Sequence, residues 1–424
     1  MTQQQNKWDS VELSAVVRCQ GGSAFSPSLQ GRPHGDIPFY KVSDMNTPGN
    51  QWLMRRAANY ISTADKERIN GDEKPAGAVI FPKVGGAIFT NKKRLLSTPA
   101  FVDNNVMAVW PSDSSRCSPR YLYLYFLTKT LSAFSNPGPL PSINNGKIYE
   151  QTILLPSVVE QEKIADVLWK VQDAIDVEGK LLDIARNLKH TAMNQIFAKG
   201  LKREELSESE IGLVPKSWQV FAIREKAKLV AGGTPSRGIA EYWTAGAIPW
   251  VKTGEIDYCI IAETEERITD AALKNSATKL LPKGALLLAM YGQGVTRGKV
   301  AILGIDAATN QACVAILPKT TDVSSWFLYY YLTAKYEDIR GLSHGANQQN
   351  LNSDLVGGFK FPVPPQDEQN EIVSILRVID RKIQIHEQKY AMLQELFTTL
   401  LHKLTSGDIL LGDSELRASK AVTR

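Results

Sequence analysis

A chain of 424 residues, 43% hydrophobic and 22% charged, is long enough to bury two ordinary cores. It has no apolar run able to span a bilayer and no basic-then-apolar leader at Met1-Thr2-Gln3-Gln4-Gln5, so a soluble cytoplasmic protein without membrane contact is expected. The net charge of +5 divides into +6 over residues 1–155, −3 over 156–210, +3 over 211–360 and −1 over 361–424, which suits two polyanion-binding segments but also ordinary scatter.

Along the chain, Trp8 leads to Gly21-Gly22-Ser23 and then Ile37-Pro38-Phe39. Pro-x-Gly turn chemistry precedes a buried strand over Ala78-Val79-Ile80-Phe81, and a second strand is expected over Val106-Met107-Ala108-Val109-Trp110. Ser118 is the expected cap of an aromatic-rich helix from Pro119 to Phe134. Glu160-Gln161-Glu162-Lys163-Ile164 then opens a long amphipathic helix that Gly200 ends. Residues 201–217 read as a polar connection.

The plan then repeats. Trp218, Gly232-Gly233-Thr234 and Ile248-Pro249-Trp250 lie 210 to 211 residues after their first-half counterparts. Strands are expected over Ala285-Leu286-Leu287-Leu288 and Cys313-Val314-Ala315-Ile316-Leu317, and a helix from Ser325 to Ile339 behind Ser324. Glu368-Gln369-Asn370-Glu371-Ile372 repeats the earlier helix start 208 residues on, and Gly407 ends that helix. A tandem duplication is implied: globular α+β units over 1–155 and 218–362, helices over 156–200 and 363–407, and a flexible tail over 408–424.

In the first helix Ile164, Leu168, Val171 and Ile175 follow a 4-3-4 spacing, matched by Ile372, Leu376, Ile379 and Ile383 in the second. Each helix, roughly 50–55 Å long at ~1.5 Å per residue, outreaches one globular unit. Pairing the two seams as an intramolecular antiparallel coiled coil buries both and gives a pseudo-two-fold arrangement. Glu178 and His386 are polar at the same seam position, either as a register device or as a solvent-facing turn.

Catalytic constellations are poorly represented. Tyr291-Gly292-Gln293-Gly294-Val295-Thr296-Arg297-Gly298-Lys299 lacks the glycine and hydroxyl positions of a nucleotide-binding P-loop and the third glycine of a dinucleotide fingerprint. Glu178-Gly179-Lys180 lies within a helix without an acidic partner, no Asn-Pro-Pro-aromatic tetrapeptide occurs, and the five histidines and four isolated cysteines make no metal spacing. The glycine loop suits presentation of Gln293, Thr296, Arg297 and Lys299 to a nucleic acid, or a plain hairpin. His344-Gly345-Ala346-Asn347-Gln348-Gln349-Asn350 concentrates amides able to read adenine edges, as the first-half loop does with Asn144 and Asn145. Lys83 and the basic run Lys92, Lys93 and Arg94 join the candidates, as do Thr234, Ser236 and Arg237.

These motifs resemble a known family, the specificity subunits of type I restriction-modification systems. The resemblance rests on Pro215-Lys216-Ser217-Trp218, Gly232-Gly233-Thr234-Pro235-Ser236, Tyr242-Trp243 with Ile248-Pro249-Trp250-Val251, Gln349-Asn350-Leu351, and the passage Phe361-Pro362-Val363-Pro364-Pro365-Gln366-Asp367-Glu368-Gln369. It is strong in the second half, whereas the first unit lacks the Thr-Pro after Gly22 and the Tyr-Trp pair. It implies two target-recognition domains, each reading half of a split double-stranded DNA site, and helices that set the spacing and dock two modification subunits. S-adenosylmethionine, and ATP with magnesium where two restriction subunits join, would be held by those partners, with no cofactor or metal in this non-catalytic chain. A coiled-coil scaffold that binds only proteins and a self-contained modification or restriction enzyme are the alternatives.

Overall fold

The structure, a computed structural model, describes residues 8–136, 138–292, 295–343 and 350–411. The chain divides into two compact units, one holding the residues up to Glu178 together with those from Lys389 onward, the other Gly179–Gln388. Each unit is α+β, and the two share one topology.

In the first unit a five-stranded sheet runs in the order Val17–Gly21, Val106–Pro111, Val79–Pro82, Arg94–Leu96, Leu53–Met54, antiparallel except for the last pair. The second unit repeats it with Ala227–Ala231, Cys313–Pro318, Leu286–Ala289, Val300–Leu303 and Ile260–Ile261, again parallel only at the last pair. Three-stranded sheets centred on Ile37–Tyr40 and Ile248–Val251 accompany them. The central strands are continuous apolar runs because both faces are buried. Val79 and Phe81 pack toward the helices while Ala78 and Ile80 enter a second core; Leu286 and Leu288, against Leu287 and Ala289, repeat that division.

A two-stranded ribbon closes each unit, Asp9–Glu12 with Thr152–Leu155 and Gln219–Ala222 with Lys360–Val363, so the chain leaves beside its point of entry. There the long helices begin, Val158–Lys199 and Gln366–Ser406, about 63 and 62 Å at ~1.5 Å per residue and so longer than the sequence estimate. They are antiparallel. In the first unit the buried Glu178 accepts from Lys389 at 2.8 Å, and in the second Arg186 pairs with Glu387 at 2.7 Å and Lys189 with Asp380 at 2.6 Å. The seam residues serve more than the helix pair. Ile164 and Leu168 join the first unit's core together with Leu401 and Leu404, and Ile372 and Leu376 join the second's with Met193 and Ile196. Ile175 is buried, while Val171, Ile379 and Ile383 are half-buried.

The repeated helix-start motif proves to be a joint. Ser118 caps the aromatic helix Pro119–Leu127, which ends short of the expected Phe134, and Gln161 grips that cap: its Oε1 accepts from Ser118 N at 2.7 Å, and its Nε2 donates to Arg116 O at 2.9 Å and Pro156 O at 2.8 Å. Gln369 does the same in the second unit, accepting from Ser324 N at 3.0 Å and donating to Asp322 O at 2.8 Å and Pro364 O at 2.9 Å. Both amides are fully buried and fully satisfied. Glu368 completes the second joint by accepting from Leu201 N at 2.9 Å and Trp218 Nε1 at 3.2 Å. Gly200 and Gly407 end the helices at φ +65° and +78°, a left-handed conformation that favours glycine, with the rings of Trp218 and Trp8 beside them. The connection over 201–217 is not merely polar chain: Leu206–Ser209 and Gly212–Pro215 form a β-hairpin.

A second contact at the joint is inverted between the copies. Arg120, two residues after the first cap, lies 4.6 Å from the ring of Trp169, eight residues after Gln161; in the second unit Trp326 follows the cap and Arg377, eight residues after Gln369, lies 4.7 Å from its ring. Arg120 also pairs with Asp166 at 2.6 Å and Glu162 at 3.2 Å, and the corresponding positions, Ser374 and Asn370, are uncharged where no arginine stands on the globular side. Trp326→Arg and Arg377→Trp should each destabilise the second unit, whereas the double exchange recovers most of the loss. A denaturation double-mutant cycle should return a coupling of about 0.5–2 kcal/mol; strictly additive changes would show that the pair is incidental.

Candidate nucleic-acid interface

Strand order places several loops at one end of each five-stranded sheet. In the second unit the strand Ala227–Ala231 ends where Cys313–Pro318 begins, and Leu286–Ala289 ends where Val300–Leu303 begins. Gly232 N donates to Cys313 O at 3.1 Å, Gly233 N to Thr309 O at 2.8 Å, Met290 N to Ala312 O at 2.8 Å, and Leu351 N to Met290 O at 3.1 Å. The glycine pair, the turn at 310–312, the loop after Ala289 and the segment at Asn350 therefore share one rim. In the first unit Gly22 N donates to Val106 O at 2.9 Å, Ser23 N to Val102 O at 2.9 Å, Lys83 N to Asn105 O at 2.9 Å, and Ile143 N to Lys83 O at 2.8 Å.

The glycines have a steric reason. A Cβ on Gly22 would lie 2.1 Å from Asp103 O, and one on Gly232 would lie 2.0 Å from Asn310 O, so only glycine lets the first strand pass the turn. This makes Gly22 and Gly232 equivalent, 210 residues apart, one residue out of step with the pairing of Gly21 with Gly232 suggested by sequence.

On the second rim the Thr234 hydroxyl bonds the Gln311 side chain and Ser236 is exposed. Arg237 is pre-positioned: its guanidinium lies 3.7 Å from the Trp243 ring and pairs with Glu266 at 2.6 Å, which holds that carboxyl below its usual range. Thr296 and Arg297 are half-buried, and Lys299 pairs with Asp257 at 2.5 Å. Asn350 is exposed, whereas Gln293, Asn347, Gln348 and Gln349 lie outside the described residues.

The first rim keeps fewer of its candidates. Lys83 is half-buried with its ammonium over Gly21, and Lys92, the equivalent of Lys299, bonds the side chain of Asn46 as Lys299 bonds Asp257. Lys93 is buried, donating to Lys129 O at 2.6 Å and Asn91 Oδ1 at 2.9 Å, and burial pushes its ammonium down to about 8. Arg94 donates to Lys93 O at 2.8 Å and Met45 O at 3.0 Å. Asn144 caps the short helix Asn145–Tyr149 by accepting from Lys147 N at 3.1 Å, and Asn145 donates to Cys19 O at 2.9 Å. Lys93 is buried and Arg94 and Asn145 are half-buried, their side chains committed to the fold, whereas Asn144 caps its helix from an exposed position and, like the half-buried Lys83 and Lys92, remains accessible. The equivalent of Asn144 is Asn352, which caps Ser353–Gly358 by accepting from Leu355 N at 2.8 Å.

The four cysteines of the chain are not activated thiols. Burial pushes the Cys19 and Cys117 thiols up to about 12 and raises those of Cys259 and Cys313, the reverse of an activated thiolate. Among the described residues no three His, Cys, Asp or Glu side chains are grouped to hold a metal, and no described helix is long and apolar enough to cross a membrane.

The two units repeat one sheet and one rim, and comparison with known proteins gives the family. The model of the type I restriction modification DNA specificity domain matches residues 5–185 and again 215–395. The chain belongs to this family. It is 24% identical over 414 residues to the putative type I restriction enzyme MjaX specificity subunit of Methanocaldococcus jannaschii, covering 95% of this chain and 93% of that one. It is 30% identical over 196 residues to the MjaIX specificity subunit of the same organism, an alignment spanning 45% of this chain and 44% of the relative, and 26% identical over 208 residues to the EcoR124I/EcoR124II specificity subunit of Escherichia coli, spanning 46% and 50%. The fold matches the crystal structure of a type I restriction-modification S subunit from M. genitalium with a TM-score of 0.63 at 14% identity, covering 96% of this chain and 98% of that one.

Substitution of Gly232 by Ala should displace the turn at 310–312 and destabilise the second unit by about 1–3 kcal/mol, whereas Gly254→Ala, which meets open space, should be far milder. Thermal unfolding of the two variants compares them; equal effects would remove the steric account of the rim.

Proposed function

We propose that this chain is the DNA-reading subunit of a type I restriction-modification complex, each unit reading one half of a bipartite double-stranded site with its sheet-end rim. The observation that carries this is the recurrence of the same glycine-dependent rim in both halves of a chain whose family model also matches twice. The chain contributes recognition and no chemistry: modification subunits supply S-adenosylmethionine and methyl transfer, and restriction subunits, where present, supply ATP- and magnesium-dependent cleavage. The complex works in the cytoplasm, with two modification and two restriction subunits to one specificity chain. Thr234, Ser236, Arg237, Thr296, Arg297, Lys299 and Asn350, with Lys83, Lys92 and Asn144, are the described residues proposed to face DNA, and Gln293, Asn347, Gln348 and Gln349 extend that set outside them.

Exposed apolar side chains on the long helices support docking of the modification subunits there. In the second unit Ile184 and Leu188 are 62% and 54% exposed and Val378 and Ile385 are 56% and 51% exposed, more apolar surface than a solvent-facing helix needs.

Methylation mapping in cells with and without this chain tests the central reading, and loss of a bipartite motif on its removal is expected. Purified with its modification subunit, the chain should bind DNA with an affinity that falls steeply with salt. Absence of salt-dependent binding would favour a protein-only scaffold, and methylation or cleavage by the chain unaided would favour a self-contained enzyme. Ile184→Glu combined with Leu188→Glu should abolish association with the modification subunit while leaving the fold intact; an unchanged complex by gel filtration would move the docking surface elsewhere. The helices should also set the spacer. One heptad inserted between Glu178 and Gly179 and another between Gln388 and Lys389 lengthens each helix by ~10 Å while keeping the seam in phase. At ~3.4 Å per base pair, the preferred gap should grow by about three base pairs; an unchanged gap would remove the helices as the ruler.

A further inference from the structure

The two rims share a feature not apparent in the sequence motifs. On each, a four-residue turn joins the three-stranded sheet to the second strand of the five-stranded sheet, closed by Val106 N donating to Asp103 O at 2.9 Å in the first unit and Cys313 N to Asn310 O at 3.2 Å in the second. The side chain at the first turn position is used internally. Asp103 Oδ1 accepts from both the backbone and side-chain nitrogens of Asn105 at 2.8 Å, and Asn310 Oδ1 accepts from Thr253 Oγ1 at 3.0 Å and Cys313 Sγ at 3.1 Å. The second position carries an exposed carboxamide in both copies, Asn104 and Gln311. The turn backbone beneath each amide is the one that Gly22 and Gly232 approach closely, so its placement is rigid.

We propose that Asn104 and Gln311 are paired base-reading residues, one for each half-site, each presenting its amide to a base edge in the major groove. The proposal rests on the DNA-reading function above. A carboxamide matches adenine bidentately, accepting from N6 and donating to N7, so each half-site contains an adenine at the position read. Gln311 has one more methylene than Asn104 and one more constraint. The Thr234 hydroxyl engages its carbonyl oxygen, which retains a second lone pair for the base. Thr234 is thereby a positioning residue.

The test uses the full chain assembled with its modification subunit and a library of randomised bipartite sites, with methylation and binding both read out. Gln311→Ala should lower discrimination at one base pair of one half-site by roughly 5- to 150-fold and leave the other half-site untouched; Asn104→Ala should do the reciprocal. Gln311→Glu should shift the preference at the same position from adenine toward cytosine, whose N4 amine donates to a carboxylate, a change that a merely structural role would not produce. Thr234→Val should weaken discrimination at that position by a smaller factor. If Gln311→Ala and Asn104→Ala keep every base preference, or reduce affinity for all sequences alike, the proposal is overturned while the DNA-reading function stands. If the wild-type complex shows no sequence preference, both fall together.

Discussion

The structure depends on two buried carboxamides. Gln161 and Gln369 each satisfy one backbone donor and two backbone acceptors at the place where a globular segment hands over to a long helix. An apolar residue there would leave the N–H of the cap serine and two carbonyls dry, each at a cost of about 1–3 kcal/mol. The joint therefore fixes both the direction in which the helix leaves and the cap that orients the aromatic helix. That helix packs on the sheet whose far end carries the rim. The frame of the rim is thus set in part at the other end of the same sheet.

Glycine solves the complementary problem at the rim. The first strand must pass a turn so closely that a methyl group would overlap a carbonyl oxygen, and Gly22 and Gly232 meet that constraint in both units. Once the backbone is so constrained, side chains on the turn can vary without disturbing it. The divergence between the units follows this division. The cap serine, the clamping glutamine, the closing glycine and the tryptophan above it recur, while the rim cations do not recur as a set.

How much of this was legible in sequence follows from what each residue touches. Helix starts, caps and buried strands were readable, since Ser118, Ser324, Gly200 and Gly407 act locally and the central strands are runs of apolar residues. The hairpin at 206–215 was hidden by its polar composition. Lys93 and Arg94 were misplaced for a related reason: a basic run beside a glycine pair looks like surface, whereas the carbonyls of Lys129 and Met45 that draw these side chains inward lie 36 and 49 residues away. The turn amides escaped notice because small insertions change the spacing between the copies. It is 210 residues at Gly22, 211 at Phe39, 207 at Asn104, 206 at Ser118 and 208 at Gln161, so no single shift aligns them.

The inverted arginine–tryptophan contact carries this reasoning inside the joint. A cation over a ring needs only that one partner be of each kind, so exchanging their places preserves the attraction, provided the acidic residues around the arginine also change. Glu162 and Asp166 stand beside Arg120, where Asn370 and Ser374 stand near Trp326. A similar replacement lies beside the first unit's second core, where Lys74 and Trp110 occupy the places of Leu281 and Leu317, and the buried Lys74 ammonium lies 5.9 Å from the Trp110 ring. Such pairs conserve the geometry of the repeat while making its interiors chemically distinct. A globular segment carrying Arg120 would meet Arg377 if grafted onto the second helix at its proline, so like charges would face each other at the joint that orients the rim. The smallest interchangeable module of this architecture is therefore a globular unit together with the first turns of the helix that follows it, through Trp169 or Arg377.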